Sequence, residues 1–149
     1  MTENLLFSLN YPYIHIYIPI IIALITNSIL YIGKTNKVKS NPYIPPGYIV
    51  GSVWCILFGI LGYIHYLLYK SNNSISVASI SVILFIIFSL AYPFITKSFT
   101  DNVDLLNIIS LILAFILAII IIIKSKYIFL YTIPLLLWIS YVNIVSNIK

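Results

Sequence analysis

Arginine is absent from this 149-residue chain, acids number three, and charged residues make up only 7 %. A soluble domain of this size needs a charged surface, and so little charge excludes one. The acids are Glu3, Asp101 and Asp104, none of them inside an apolar run. Nothing therefore supports a carboxylate proton relay within the membrane. The single cysteine, Cys55, permits no internal disulfide. No Cys/His cluster has metal-ligand spacing, so no metal site is expected. No nucleophile–base–acid set is visible, and no catalytic residue is assigned. The net charge of +5 comes from lysines placed singly or in short groups between apolar runs. That is the pattern of loop charges that orient a membrane protein, not of a basic groove, so no nucleic-acid partner is expected.

What the chain has in abundance is aliphatic and aromatic side chain: 62 % of residues are hydrophobic and the mean hydropathy is +1.10. A helix needs about 20 apolar residues to cross about 30 Å of hydrocarbon. Five such runs follow one another, at about 11–32, 47–69, 75–95, 105–123 and 127–148. The fold class is an all-α membrane protein, one domain over residues 1–149 built as a bundle of five transmembrane helices in a lipid bilayer. The first run lacks the basic start and cleavage site of a signal peptide, so it is read as a retained span. Pro19 is expected to kink it, with Thr26 and Asn27 turned toward other helices. Lysines 34, 37, 39, 97 and 149 fall on one side and 70, 124 and 126 on the other. This bias points to a cytoplasmic C-terminus.

The stretch from Asn41 to Tyr69 holds the Pro45–Pro46 pair, a tryptophan and the cysteine. A Pro-Pro pair cannot lie inside a helix but suits its first turn, so a helix is expected from about Gly47. At 100° per residue, Gly51, Cys55, Gly59 and Gly62 form a stripe of small side chains. Such a stripe lets another helix approach closely. Trp54, Phe58, Leu61 and His65 form a bulky stripe facing the interior. Ile49, Val53, Ile56, Leu57, Ile60, Ile64 and Leu67 form an aliphatic arc expected to face lipid. In the fourth span Asn107, Ser110, Ala114 and Ala118 share a packing face. In the fifth, Tyr131, Pro134, Trp138, Tyr141 and Val145 share one face, and Ser140, Asn143 and Asn147 the opposite one. Asp101 or Asp104 is suited to cap the fourth helix. His15 is expected at the membrane interface; His65 is read as a hydrogen-bonded core residue, with ligation of a bound metal as the alternative. Tyr13, Tyr17, Tyr31, Tyr69 and Tyr127 are expected in the aromatic belt. Trp54/Phe58 and Trp138/Tyr141 are ring-bearing stripes without charge, the chemistry that holds a flat apolar ligand by stacking.

The run Tyr43-Ile44-Pro45-Pro46-Gly47-Tyr48-Ile49-Val50-Gly51-Ser52-Val53-Trp54 resembles the signature of the TspO/MBR family (tryptophan-rich sensory protein / translocator protein, peripheral benzodiazepine receptor-like). That signature is W-x-P-P-x-W-x-φ-x-P-x-W, and Phe58, Gly62 and Tyr63 stand at its later positions. Pro134 to Tyr141 is similar to the family's P-Y-L-x-W-x-x-F, and span count and loop spacing agree along the chain. Tyr43 and Tyr48 stand where the family has tryptophan, Ser52 where it has proline, and Ser89-Leu90-Ala91-Tyr92-Pro93 where it has N-W-x-W-P.

The resemblance implies a five-helix bundle, often a homodimer, with a pocket capped by the first loop; members bind porphyrins, sterols or synthetic aromatic ligands. Carried over by motif, the pocket would take Val50 and Trp54 from the second helix and Ser89 and Tyr92 from the third. Trp138, Tyr141, Val142 and Val145 would come from the fifth, with Tyr43 and Pro45 in the lid. Phe58 joins them on the aromatic stripe. No cofactor is required, although a porphyrin or haem-type molecule is a possible bound ligand. Three functions are open: a receptor or transport-associated binder of a flat apolar molecule, a porphyrin-degrading enzyme, or a structural membrane protein without a ligand.

Overall fold

A computed structural model describes residues 11–32, 43, 45–72, 76–98 and 103–147. Helix α1 spans Pro12–Ile32, α2 Gly47–Asn72, α3 Val77–Ser98 and α4 Val103–Lys124. The fifth span is composite: α5 (Lys126–Phe129), a 3-10 turn (Leu130–Thr132) and α6 (Ile133–Asn147). These make five helical segments long and apolar enough to cross a membrane. No strand occurs among the described residues.

The helix starts have local causes. The Pro46 carbonyl accepts from the amides of Ile49 (2.9 Å) and Val50 (3.2 Å), so α2 begins directly behind the Pro-Pro pair. Ser76 opens α3, its Oγ accepting from Ser79 N at 3.2 Å. Ser125 ends α4 through its amide to Ile121 O (2.8 Å) and caps α5 through Oγ, which accepts from Ile128 N at 3.4 Å. A serine cap satisfies an amide that the helix itself leaves without a partner. Pro134 cannot donate to the Leu130 carbonyl one turn back. The Ile133 amide donates to that carbonyl instead, and the chain tightens locally into the 3-10 turn. Asp104 lies in the first turn of α4; Asp101 lies outside the described residues. Helix α1 continues through Pro19, which is buried.

Helices α2, α3, α4 and the fifth span form a ring, closed where the start of the fifth span returns to α2. Tyr63 and Tyr131 meet edge to face across that closure, ring centroids 5.4 Å apart. Helix α1 lies outside the ring, packed closely on α2 and only lightly on α3. The small stripe of α2 makes the close approach possible. A Cβ at Gly62 would fall 2.0 Å from the His15 carbonyl oxygen, and one at Gly59 3.1 Å from Ile20 Cδ1.

Three sequence expectations are corrected here. The aliphatic arc of α2 does not face lipid as a whole: Leu57 is 3 % and Ile64 0 % exposed, and only Ile49 and Ile56 open outward. Helix α2 is covered on three sides, and composition cannot separate that from lipid contact because lipid tails are as apolar as leucine. In α6 the inward arc is centred on Leu135, Ile139 and Val142, between the two faces expected. Asn143 is therefore buried, while Pro134 and Tyr141 are exposed. His15 is buried rather than interfacial. Its Nδ1 lies 2.7 Å from His65 Nδ1, a hydrogen bond joining α1 to α2, and the Tyr69 ring packs 5.9 Å from it. Tyr13, Tyr17 and Tyr127 are exposed; the Tyr31 side chain lies outside the described residues.

Candidate functional site

A cavity of about 120 Å³ opens inside the ring, lined by Val50 and Trp54 of α2, Ser89 and Tyr92 of α3, Asn107 and Ser110 of α4, and Trp138, Ile139, Val142 and Asn143 of α6. It sits where α2 and α4 begin and α3 and α6 end, toward the membrane face bearing Tyr43 and Pro45. A second cavity, of about 40 Å³, lies between α1, α2 and α3. Trp54, Ser89 and Tyr92 line both and form the partition between them.

One hydrogen-bonded network supports the larger cavity's polar side. The Tyr92 hydroxyl donates to Asn107 Oδ1. Asn107 Nδ2 donates to Ser146 Oγ at 3.2 Å, and Ser146 Oγ donates to the Asn143 carbonyl at 3.1 Å. Asn143 Nδ2 donates to the carbonyls of Asn107 (3.1 Å) and Ile139 (3.0 Å). Within hydrocarbon a polar side chain has to find such partners, and these tie α3, α4 and α6 together. Two buried polar atoms of the larger cavity's lining residues have no partner among the described residues: Ser89 Oγ and Trp138 Nε1. A buried donor left unpaired costs about 1–3 kcal/mol. Among the described residues, no charged side chain lines either cavity.

Of the residues expected in the pocket, Val50, Trp54, Ser89, Tyr92, Trp138 and Val142 meet around the larger cavity. Phe58 borders only the smaller one, its ring 5.5 Å from Trp54. Tyr141 and Val145 line neither cavity: Val145 is buried and Tyr141 is exposed. The Tyr141 ring lies 5.7 Å from Trp138, and its hydroxyl donates to the Tyr43 carbonyl at 2.9 Å, joining the fifth span to the segment before α2. Tyr43 is exposed and Pro45 half-buried, and neither lines either of these two cavities. Asn107, Ser110, Ile139 and Asn143 were not expected in the wall. The first two stand on a stripe that reads equally well as packing. An amide in the middle of an apolar run is a signal in itself, because such groups seldom stay unpartnered in a membrane. His65 lies 11 residues beyond Trp54, about 16 Å along α2, too far to ligate a metal in this cavity.

The fold and the site define a polytopic helical membrane protein with an uncharged, aromatic, partly polar cavity inside a four-helix ring. The TspO/MBR family model matches residues 15–147, and the chain belongs to that family. The sequence matches no curated protein and no solved structure.

Proposed function

We propose that this membrane protein binds a flat, largely apolar molecule carrying a neutral hydrogen-bond acceptor, a porphyrin or sterol-like compound, in the larger cavity. The carrying observation is the pair Ser89 Oγ and Trp138 Nε1, donors without partners among the described residues in a wall that combines rings, aliphatic groups and hydrogen-bonded amides. Acceptors on the ligand would satisfy these donors, whereas a carboxylate buried there meets no counter-charge among the lining residues, so the propionates of a porphyrin have to stay outside the cavity. Trp54, Tyr92 and Trp138 supply aromatic contact for a planar body. The cavity of about 120 Å³ is smaller than the roughly 300–1,000 Å³ of pockets that enclose drug-sized ligands. A tetrapyrrole therefore enters only if the wall moves outward. No histidine lines the cavity, so a haem-type molecule is held by its ring and acceptors, as a ligand rather than through its metal. A binder of this kind serves sensing or transport of the molecule it holds.

Trp54 and Trp138 are the two tryptophans of the chain and both border the cavity, so their quenching by protoporphyrin reads the site directly. Trp138→Phe keeps a ring and loses the N–H; it is expected to weaken binding by roughly fivefold to tenfold, the worth of one hydrogen bond. Ser89→Ala is expected to behave alike. Wild-type affinity in both variants would remove the acceptor argument. Absence of quenching in the wild type would remove the ligand reading itself.

A further inference from the structure

The ligand reading requires a way in, and three features outside the larger cavity converge on one. The smaller cavity, bordered by Ala23 and Thr26 of α1 and by Leu90 and Pro93 of α3, lies between the outer helix and the ring. It borders the larger one, with which it shares Trp54, Ser89 and Tyr92 in its lining. Helix α1 rests tightly on α2 but only lightly on α3, so the α1–α3 seam is the thin side of the wall. Pro93 weakens α3 at this place: it has no N–H, and the Ser89 carbonyl one turn back loses its helical donor. The Ser89 hydroxyl is also without a partner among the described residues. Beyond Pro93 the helix runs on to Ser98, with the single Thr96 hydroxyl proton shared between the carbonyls of Tyr92 and Pro93, each 3.1 Å from Oγ1.

We infer that the α1–α3 seam is a lateral portal through which an apolar ligand passes from the bilayer, by way of the smaller cavity and past Trp54 and Tyr92, into the ring. It rests on the ligand reading above. The physical case has two parts. Apolar molecules concentrate in hydrocarbon, so the supply lies beside the helices rather than in water. Helix α3 can bend outward at Ser89–Pro93 without breaking a ladder hydrogen bond there, because the proline has already removed it. The alternative route, beneath Pro45 at the membrane face, would bypass the smaller cavity altogether.

Protoporphyrin preloaded in phosphatidylcholine vesicles and mixed with the protein in nanodiscs gives association and release rates by stopped-flow tryptophan quenching. Pro93→Ala restores the donor to the Ser89 carbonyl without touching the larger cavity. It is expected to slow both association and release by roughly fivefold, the worth of one backbone hydrogen bond, with Kd unchanged. Thr26→Phe fills the smaller cavity and should slow both rates further; if that variant does not fold, Pro93→Ala decides alone. Wild-type rates in Pro93→Ala with binding intact overturn the portal and leave the ligand reading standing. The same holds if Pro45→Gly alone changes the rates, which places entry at the membrane face. Loss of binding in the wild type itself removes both.

Discussion

Among single residues, Gly62 and His15 show most clearly what the sequence disclosed and what it concealed. The small stripe of α2 was readable from spacing alone, because small residues at helical intervals permit close helix contact. Its partner was not: His15 lies 50 residues from His65 along the chain, and a polar aromatic at the start of a span resembles an interfacial residue. The contact is backbone to backbone, since a Gly62 Cβ would meet the His15 carbonyl oxygen at 2.0 Å. Neither group is the flexible end of a side chain, so one helix has to shift. Gly62→Ala is expected to destabilise the protein by about 1–3 kcal/mol, as overpacking does. A Cβ at Gly47 meets nothing within 4 Å, and Gly47→Ala is expected to be nearly neutral. Thermal unfolding in detergent compares the two; equal losses would contradict the helix contact.

Between elements, the cavity is held by amides and hydroxyls that the sequence presented as separate signals. Asn107 and Ser110 stand on one stripe of the fourth span and Asn143 on the face of the fifth opposite Trp138. The structure joins Asn107 to α3 through Tyr92 and to α6 through Ser146 and Asn143. Periodicity places residues on a face but does not say which helix that face meets. The inward arc of α6 accordingly takes one edge from each of the expected faces: Trp138 and Val145 from the aromatic one, Asn143 from the other. Tyr92→Phe and Asn107→Ala remove the two sides of one interaction, and their effects on stability are expected to be non-additive. Interhelical hydrogen bonds in membranes give coupling of about 0.6 kcal/mol, reaching about 1.7 kcal/mol. A double-mutant cycle in detergent measures it, and additivity would mean that the network does not couple α3 to α4.

At the scale of the whole molecule, five spans were legible because length and hydropathy fix their number almost independently of packing. The order of helices around the ring was not, since core leucine and lipid-facing leucine are chemically the same; the buried Leu57 and Ile64 of α2 are the case in point. The crossing of every span has one geometric consequence that lysine bias could only suggest. Successive crossings alternate, so the ends of α1 and α3 lie on one side, and the ends of α2 and α4 on the other. The cavity, at the start of α2 and the end of α3, faces the first side; the His15–His65 pair, near the start of α1 and the end of α2, faces the second. With Cys55 replaced by alanine, single cysteines at Ser71 and Lys124 are expected to react with an impermeant maleimide from the same face of sealed vesicles. A cysteine at Lys97 is expected to react only from the opposite face. Labelling of Lys97→Cys and Ser71→Cys from one face would mean that α3 does not cross, and a ring of four crossing helices around the cavity would then be impossible.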